Sequence, residues 1–296
     1  MNIENLQGSI VALVTPFTKN GEIDFNSFDN LIEWHIAEGT NGIVVCGTTG
    51  ETPTLSEDED ASLMERAVKV SNGRIPIIAG TGSNSTIDCI AYSKRAESLG
   101  VDGLLVVAPY YNKPTPAGLK LHFSMLAAEV NIPIILYNVP SRTGCDITPN
   151  IAIELANEHK NIVGIKEAAG KIEYFTELIS KRKEGFKIYS GDDYLSPIAN
   201  LLGADGCISV IANVIPADFS KLMKYSIEGN TKETNKLFYK YIELMDLMFI
   251  ESNPIPVKAA LSEMNKIEEK YRAPMCQMEM ANKEQLISEM KKLNII

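Results

Sequence analysis

The sequence predicts an α/β fold, a closed (β/α)8 TIM barrel with a C-terminal helical region. Three observations carry this. Eight short apolar runs rich in Ile and Val punctuate the chain, segments of helical period separate them, and no further run of this kind follows Val214. Strands that alternate with helices pair in parallel through right-handed crossovers. Eight such units suit a closed barrel, with an open doubly wound sheet as the alternative. The expected division is a catalytic barrel over 1–225 and a helical region over 226–296.

In chain order, SIVALVTPF (Ser9 to Phe17) is the first predicted strand. It leads into IDFNSFDNLIEWHIAEG, where Phe25, Phe28, Leu31, Ile32 and Ile36 share one helical face and Gly39 supplies a C-cap. GIVVCGTTGE (Gly42 to Glu51) is the second run. The helix after it opens with SEDED, in which Ser56 and Glu59 have capping-box spacing and the acids suit the positive helix end. IPIIAGTG (Ile75 to Gly82) precedes TIDCIAYSKRAESLG, which again ends on a glycine, Gly100. GLLVVAPYY (Gly103 to Tyr111), PIILYNVP (Pro133 to Pro140), NIVGIKEAAG (Asn161 to Gly170), KIYSGDD (Lys187 to Asp193) and GCISVIANV (Gly206 to Val214) complete the set. Each is bounded by Gly, Pro or polar residues. Beyond Val214, IPADFSKLMKYSIEG completes the barrel. TNKLFYKYIELMDLMFIES and KEQLISEMKKLNII read as further helices, whose apolar faces pack on the barrel or on another subunit.

Composition narrows the function. A chain 45% hydrophobic and 22% charged is of ordinary globular type. The net charge of −10 argues against nucleic acid or an anionic membrane as the partner. Cys46, Cys89, Cys145, Cys207 and Cys276 are widely spaced without a C-x-x-C pair, which suggests neither a disulfide framework nor a zinc site. The opening MNIENLQGSI has an acid where a signal peptide needs positive charge. No stretch approaches the roughly 20 apolar residues of a membrane span. A cytoplasmic location is expected.

In a barrel of this kind catalytic groups come from the C-terminal strand ends. Those ends carry Thr15, Thr48, Thr49, Thr81, Tyr110, Tyr111, Tyr137, Lys166, Asp192 and Ser209. They offer hydroxyls, one amine and one carboxylate, and strand alternation turns Glu167 away from Lys166. His35, His122 and His159 fall in helical segments or at their ends, which argues against metal hydrolysis and a Ser-His-Asp mechanism. GTGSNS from Gly80 places Ser85 at the third glycine of a dinucleotide fingerprint, and no phosphate loop occurs. GTTGE reads either as an ordinary βα turn or as an anion cradle of free N–H groups. As a cradle it suits a small carboxylate as well as a phosphate.

Lys166 ends an otherwise apolar strand. At its ordinary pKa of about 10.4, only about 0.04% of a lysine is the neutral nucleophile at pH 7. Partial desolvation would lower that pKa to about 7–8, at a cost on the order of 4 kcal/mol. The cost makes sense for an amine that attacks a carbonyl and forms a Schiff base. The other reading is a lysine that snorkels to solvent or pairs with a carboxylate. The neighbouring hydroxyls of Thr48, Tyr111 and Tyr137, able to relay protons, favour the nucleophile.

GTTGE, YYNKPT, YNVPSRTG, GIKEAAG, SGDD and NPIPVK occur in the order and at the spacings of the dihydrodipicolinate synthase family, which the chain resembles from about Gly8 to the C-terminal helices. The loop and the strand lysine are shared with N-acetylneuraminate lyase and other pyruvate aldolases, whereas the combination with YNVPSRTG is specific. The resemblance implies a homotetramer built as a dimer of tight dimers, and no metal or organic cofactor. It implies condensation of pyruvate with L-aspartate 4-semialdehyde on the route to diaminopimelate and lysine.

Carried onto this sequence, Lys166 is the Schiff-base lysine and Tyr137 the general acid/base. Thr48 links Tyr137 to Tyr111, which arrives from a neighbouring subunit. Thr49 holds the pyruvate carboxylate and Arg142 that of the semialdehyde, for which a guanidinium fork is suited. Gly191 and Ile208 line the pocket through backbone contacts. Asn84 and Tyr110 match the family's lysine-inhibitor site, but Glu57, Asp60 and Asp88 stand where inhibited members carry two histidines and a glutamate. Weak or absent inhibition by lysine is therefore expected. Thr52 stands where many members have serine. Two alternatives remain: a related aldolase acting on a sugar-derived aldehyde, such as N-acetylneuraminate lyase or a keto-deoxy-sugar aldolase, and a non-catalytic barrel that binds a carboxylate. Arg142 argues against the first and the Lys–Tyr–Thr–Tyr set against the second.

Overall fold

The structure, a computed structural model, describes residues 3–296. Strands β1 (Gly8–Ala12), β2 (Gly42–Val45), β3 (Ile77–Gly80), β4 (Gly103–Val107), β5 (Ile134–Asn138), β6 (Ile162–Glu167), β7 (Lys187–Ser190) and β8 (Gly206–Ser209) close into one parallel barrel in sequence order. The predicted (β/α)8 architecture is thus observed. Around it lie α1 (Phe25–Ala37), α2 (Glu57–Ser71), α3 (Thr86–Ser98), α4 (Pro116–Glu129), the single turn α5 (Pro140–Thr143), α6 (Pro149–Glu158), α7 (Ile172–Lys181), α8 (Ser196–Leu202) and α9 (Pro216–Ile227). Helices α10 (Thr231–Leu247), α11 (Ile255–Glu263) and α12 (Met280–Lys292) form the C-terminal region.

The strands are mainly apolar because both faces are buried, and polar residues such as Asn138, Lys166 and Glu167 fall at the C-terminal ends of β5 and β6. Ile10, Val44, Ile78, Leu105 and Ile135 point into the barrel, where Ile3 and Leu6 join them. The Tyr189 hydroxyl donates to the Leu6 carbonyl at 2.8 Å and ties that N-terminal segment to the interior. Alternate residues such as Val11, Ile43, Ile77, Val106 and Leu136 belong to the outer shell beneath the helices.

Helix ends follow their sequence signals. Phe28, Leu31 and Ile32 of α1 are buried, and Gly39 takes a φ of 79° just past its end. Ser56 and Glu59 form the expected capping box of α2. Helix α11 has no counterpart in the sequence reading. Pro254 caps it and Pro256 sits in its first turn, where a missing N–H costs nothing, so two prolines that look like breakers are helix starters.

The predicted runs overshoot the strands. β1 stops at Ala12 and β2 at Val45, because Cys46 takes a φ of 55° and redirects the chain. Thr48 and Thr49 consequently lie in a short 3-10 turn, Thr48–Gly50, above the strand rather than on it.

Candidate active site

Register places the central pair. β6 runs beside β5 with Tyr137 opposite Lys166, and both side chains point inward, one residue out of phase with Ile165 and Leu136 of the outer shell. The Lys166 amine lies 4.2 Å from the centroid of the Tyr137 ring. Lys166 is 7% exposed, and no carboxylate pairs with it among the described residues, so it neither snorkels nor forms an ion pair. Gly191 at the end of β7 is what makes room for it. A β-carbon there would stand 2.7 Å from Lys166 Cε and 2.7 Å from Ala168 Cβ.

Glu167 faces outward, as alternation requires. It is fully buried; its Oε2 accepts from Asn138 Nδ2 at 3.0 Å and its Oε1 from the Ala169 N–H at 2.6 Å. Burial pushes its carboxyl up to about 7. The carboxylate nearest in sequence to the lysine is therefore committed to the outer shell.

A cavity of about 1070 Å³ opens above Lys166. Tyr137, Thr48, Thr49, Arg142 and Gly191 line it with Lys166, so six of the expected residues converge. Thr49 is fixed from behind by Asn253, whose Nδ2 donates to the Thr49 hydroxyl oxygen at 2.9 Å. The Asn253 carbonyl accepts from Arg142 at 3.4 Å, so one residue holds both the turn and the guanidinium at the mouth. Asn253 and the α11 lysine, Lys258, received no role in the sequence reading. The available signal was a lysine inside the apolar helix IPVKAAL, which has no solvent face to carry it.

Of the other expected residues, Ile208, Tyr111 and Asn84 do not reach this cavity. Ile208 is fully buried in the barrel interior, in register with Ile10 below the pocket floor. Tyr111 is 88% exposed, with a φ of 72° that swings it outward. Asn84 offers its backbone carbonyl to Asn112 at 2.8 Å and is not on the cavity wall. Tyr110, Glu57, Asp60 and Cys46 also line the cavity. There the Cys46 thiol donates to the Asp60 carbonyl at 3.6 Å, and burial pushes that thiol well up, leaving it protonated. The three histidines are packing residues, bonded to Thr40, Thr86 and Ser124.

An inward amine over a phenol, two threonines on a turn beside it, and an arginine at the rim can form an imine with a keto acid and admit a second anion. The comparisons agree with that chemistry. The model of the dihydrodipicolinate synthetase family matches residues 5–293. A 4-hydroxy-tetrahydrodipicolinate synthase of Thermodesulfovibrio yellowstonii is 50% identical over 290 residues, covering 98% of this chain and 99% of that protein. Among solved structures, a dihydrodipicolinate synthase from Aquifex aeolicus superposes with a TM-score of 0.96 at 44% identity, covering 98% of both chains. The chloride-inhibited dihydrodipicolinate synthase from Acinetobacter baumannii, complexed with pyruvate, gives a TM-score of 0.96 at 46% identity, covering 98% of this chain and 100% of that one.

Proposed function

This chain belongs to the dihydrodipicolinate synthetase family, and on that premise we infer that it is a lyase with 4-hydroxy-tetrahydrodipicolinate synthase activity in lysine biosynthesis. The observation that carries the reading is the buried, unpaired amine of Lys166 beside Tyr137. Lys166 attacks the ketone of pyruvate, and Tyr137 supplies and removes the protons of imine formation. The Thr49 hydroxyl and the N–H groups of its turn hold the pyruvate carboxylate. Water leaves as the imine forms, and loss of a methyl proton gives the enamine. The enamine attacks the aldehyde of L-aspartate 4-semialdehyde, whose carboxylate meets Arg142. The amino group of the semialdehyde then displaces the Lys166 amine from the imine carbon, which closes the ring and frees the enzyme. A neutral sugar aldehyde gives no reason for a guanidinium at that rim.

Thr48 hands protons between Tyr137 and a second copy's Tyr111. The 88% exposure of Tyr111 supports this, as an aromatic ring with no side-chain partner of its own among the described residues. Tyr194, Ile198, Leu201 and Leu202 form a second exposed apolar face around α8, which supports a further contact and hence a dimer of dimers. No helix is long and apolar enough to cross a membrane. Five free thiols, four of them buried, fit the reducing cytoplasm.

Borohydride reduction with pyruvate, followed by peptide mapping, tests the nucleophile, and an adduct anywhere but Lys166 overturns it. Turnover with the semialdehyde, set beside N-acetylmannosamine and glyceraldehyde, tests the second substrate.

A further inference from the structure

Behind the Thr48–Gly50 turn lies a charged pair that no step of this reaction uses. The Lys258 side chain is fully buried and that of Glu51 is 2% exposed. The amine donates to Glu51 Oε1 at 2.5 Å and to the Thr15 carbonyl at 3.0 Å. Phe17 and Tyr271 cover it, with ring centroids 4.3 and 5.3 Å from Nζ. The other carboxylate oxygen of Glu51 accepts the backbone N–H of Arg272 at 3.1 Å, and the Thr15 hydroxyl donates to the Gly50 carbonyl at 2.7 Å. The turn is thus tied to the end of β1 on one side and to the C-terminal region on the other.

Such a pair is a poor source of stability. An apolar pair of similar volume commonly does as well or better. The backbone adds a second cost. Glu51 sits at φ 58°, ψ 28°, a left-handed conformation that strains a residue with a β-carbon. A glycine would relieve that strain, but only a side chain can reach Lys258. Both costs fall on the hinge between the Thr48–Gly50 and Thr52–Thr54 turns. The Glu51 N–H bonds the Thr48 carbonyl at 3.1 Å, and its own carbonyl takes the Thr54 N–H at 2.9 Å. Any shift of Glu51 therefore shifts Thr48 and Thr49.

We propose that the Glu51–Lys258 pair is a positioning device for pyruvate, locking the turn so that Thr49 faces the substrate carboxylate. This rests on the pyruvate reading above. Neither residue lines the cavity, so both act through Thr49.

The test compares the wild type with Lys258→Met and with the charge-free double variant Glu51→Gln/Lys258→Met. The single variant strands a buried carboxylate and loses stability, so the double variant decides. It is expected to melt within about 5 °C of the wild type. Its KM for pyruvate should rise about tenfold, while kcat at saturating pyruvate and KM for the semialdehyde change less than about twofold. A folded double variant with the wild-type KM for pyruvate overturns the proposal. A uniform loss across kcat and both KM values also overturns it, because that is damage without positioning. A wild-type protein that forms no pyruvate adduct overturns the substrate reading, and the proposal with it.

Discussion

Tyr137 and Lys166 stand opposite each other on adjacent parallel strands, with the lysine amine 4.2 Å from the centre of the tyrosine ring. Phenylalanine keeps the ring and removes only the hydroxyl. Tyr137→Phe should lower kcat by about 10²–10⁴-fold, the usual worth of a general acid/base. The melting temperature should stay near that of the wild type. Steady-state kinetics with a thermal melt decide, and an unchanged kcat would remove Tyr137 from the chemistry.

Arg142 is exposed at the cavity rim and held at 3.4 Å by the Asn253 carbonyl. Arg142→Ala should raise KM for the semialdehyde about 10–100-fold, the worth of a hydrogen bond to a charged group. KM for pyruvate should barely move if Thr49, as proposed, serves that carboxylate. An equal rise for both substrates would count against a dedicated role for Arg142.

Asp60 lines the cavity, and its Oδ1 is buried without a hydrogen-bond partner. Burial pushes its carboxyl from 3.8 up to about 7. Between those values the folded chain holds a proton that the unfolded chain has released, so stability falls as pH rises through the window. Neighbouring Glu59, held at about 2 by Arg272 against an ordinary 4.5, adds an opposite slope only at the acid end of this window, and that slope is common to the wild type and the variant. Asp60→Asn should flatten the stability curve from pH 4 to 7 and stabilise the protein by roughly 1–2 kcal/mol at pH 8, after discounting for partial exposure. Urea titrations at both pH values measure it. A parallel pH dependence in the two proteins would refute the assignment.

Glu57 and Asp60 line the cavity together with Tyr110, whereas Asn84 and Asp88 lie off its wall. Acids in place of imidazoles change both shape and charge there. Free lysine is expected to inhibit weakly or not at all. An initial-rate titration checks this, and half-inhibition at sub-millimolar lysine would falsify it.

The barrel was legible because its signals are local. A strand buried on both faces must be a run of Ile and Val, and the chain can leave it only through Gly, Pro or polar residues, so eight such runs show as eight strands. Lys166 was legible for the same reason, as a cation where the pattern demands an apolar residue. Strand ends were misjudged because a non-glycine residue, Cys46, makes the left-handed turn. Helix α11 was missed because a proline that starts a helix resembles one that ends it.

By itself, then, the sequence determined the barrel and singled out Lys166 as the candidate nucleophile, since hydrophobic periodicity and one misplaced charge act within a few residues. The tertiary structure alone decided that Asn253 fixes Thr49 and that Lys258 neutralises Glu51, contacts spanning 204 and 207 residues of chain. The physical reason is that a buried polar group must find a partner of matching charge and geometry. Only the closed barrel, with the C-terminal helices laid across its mouth, brings those partners within reach.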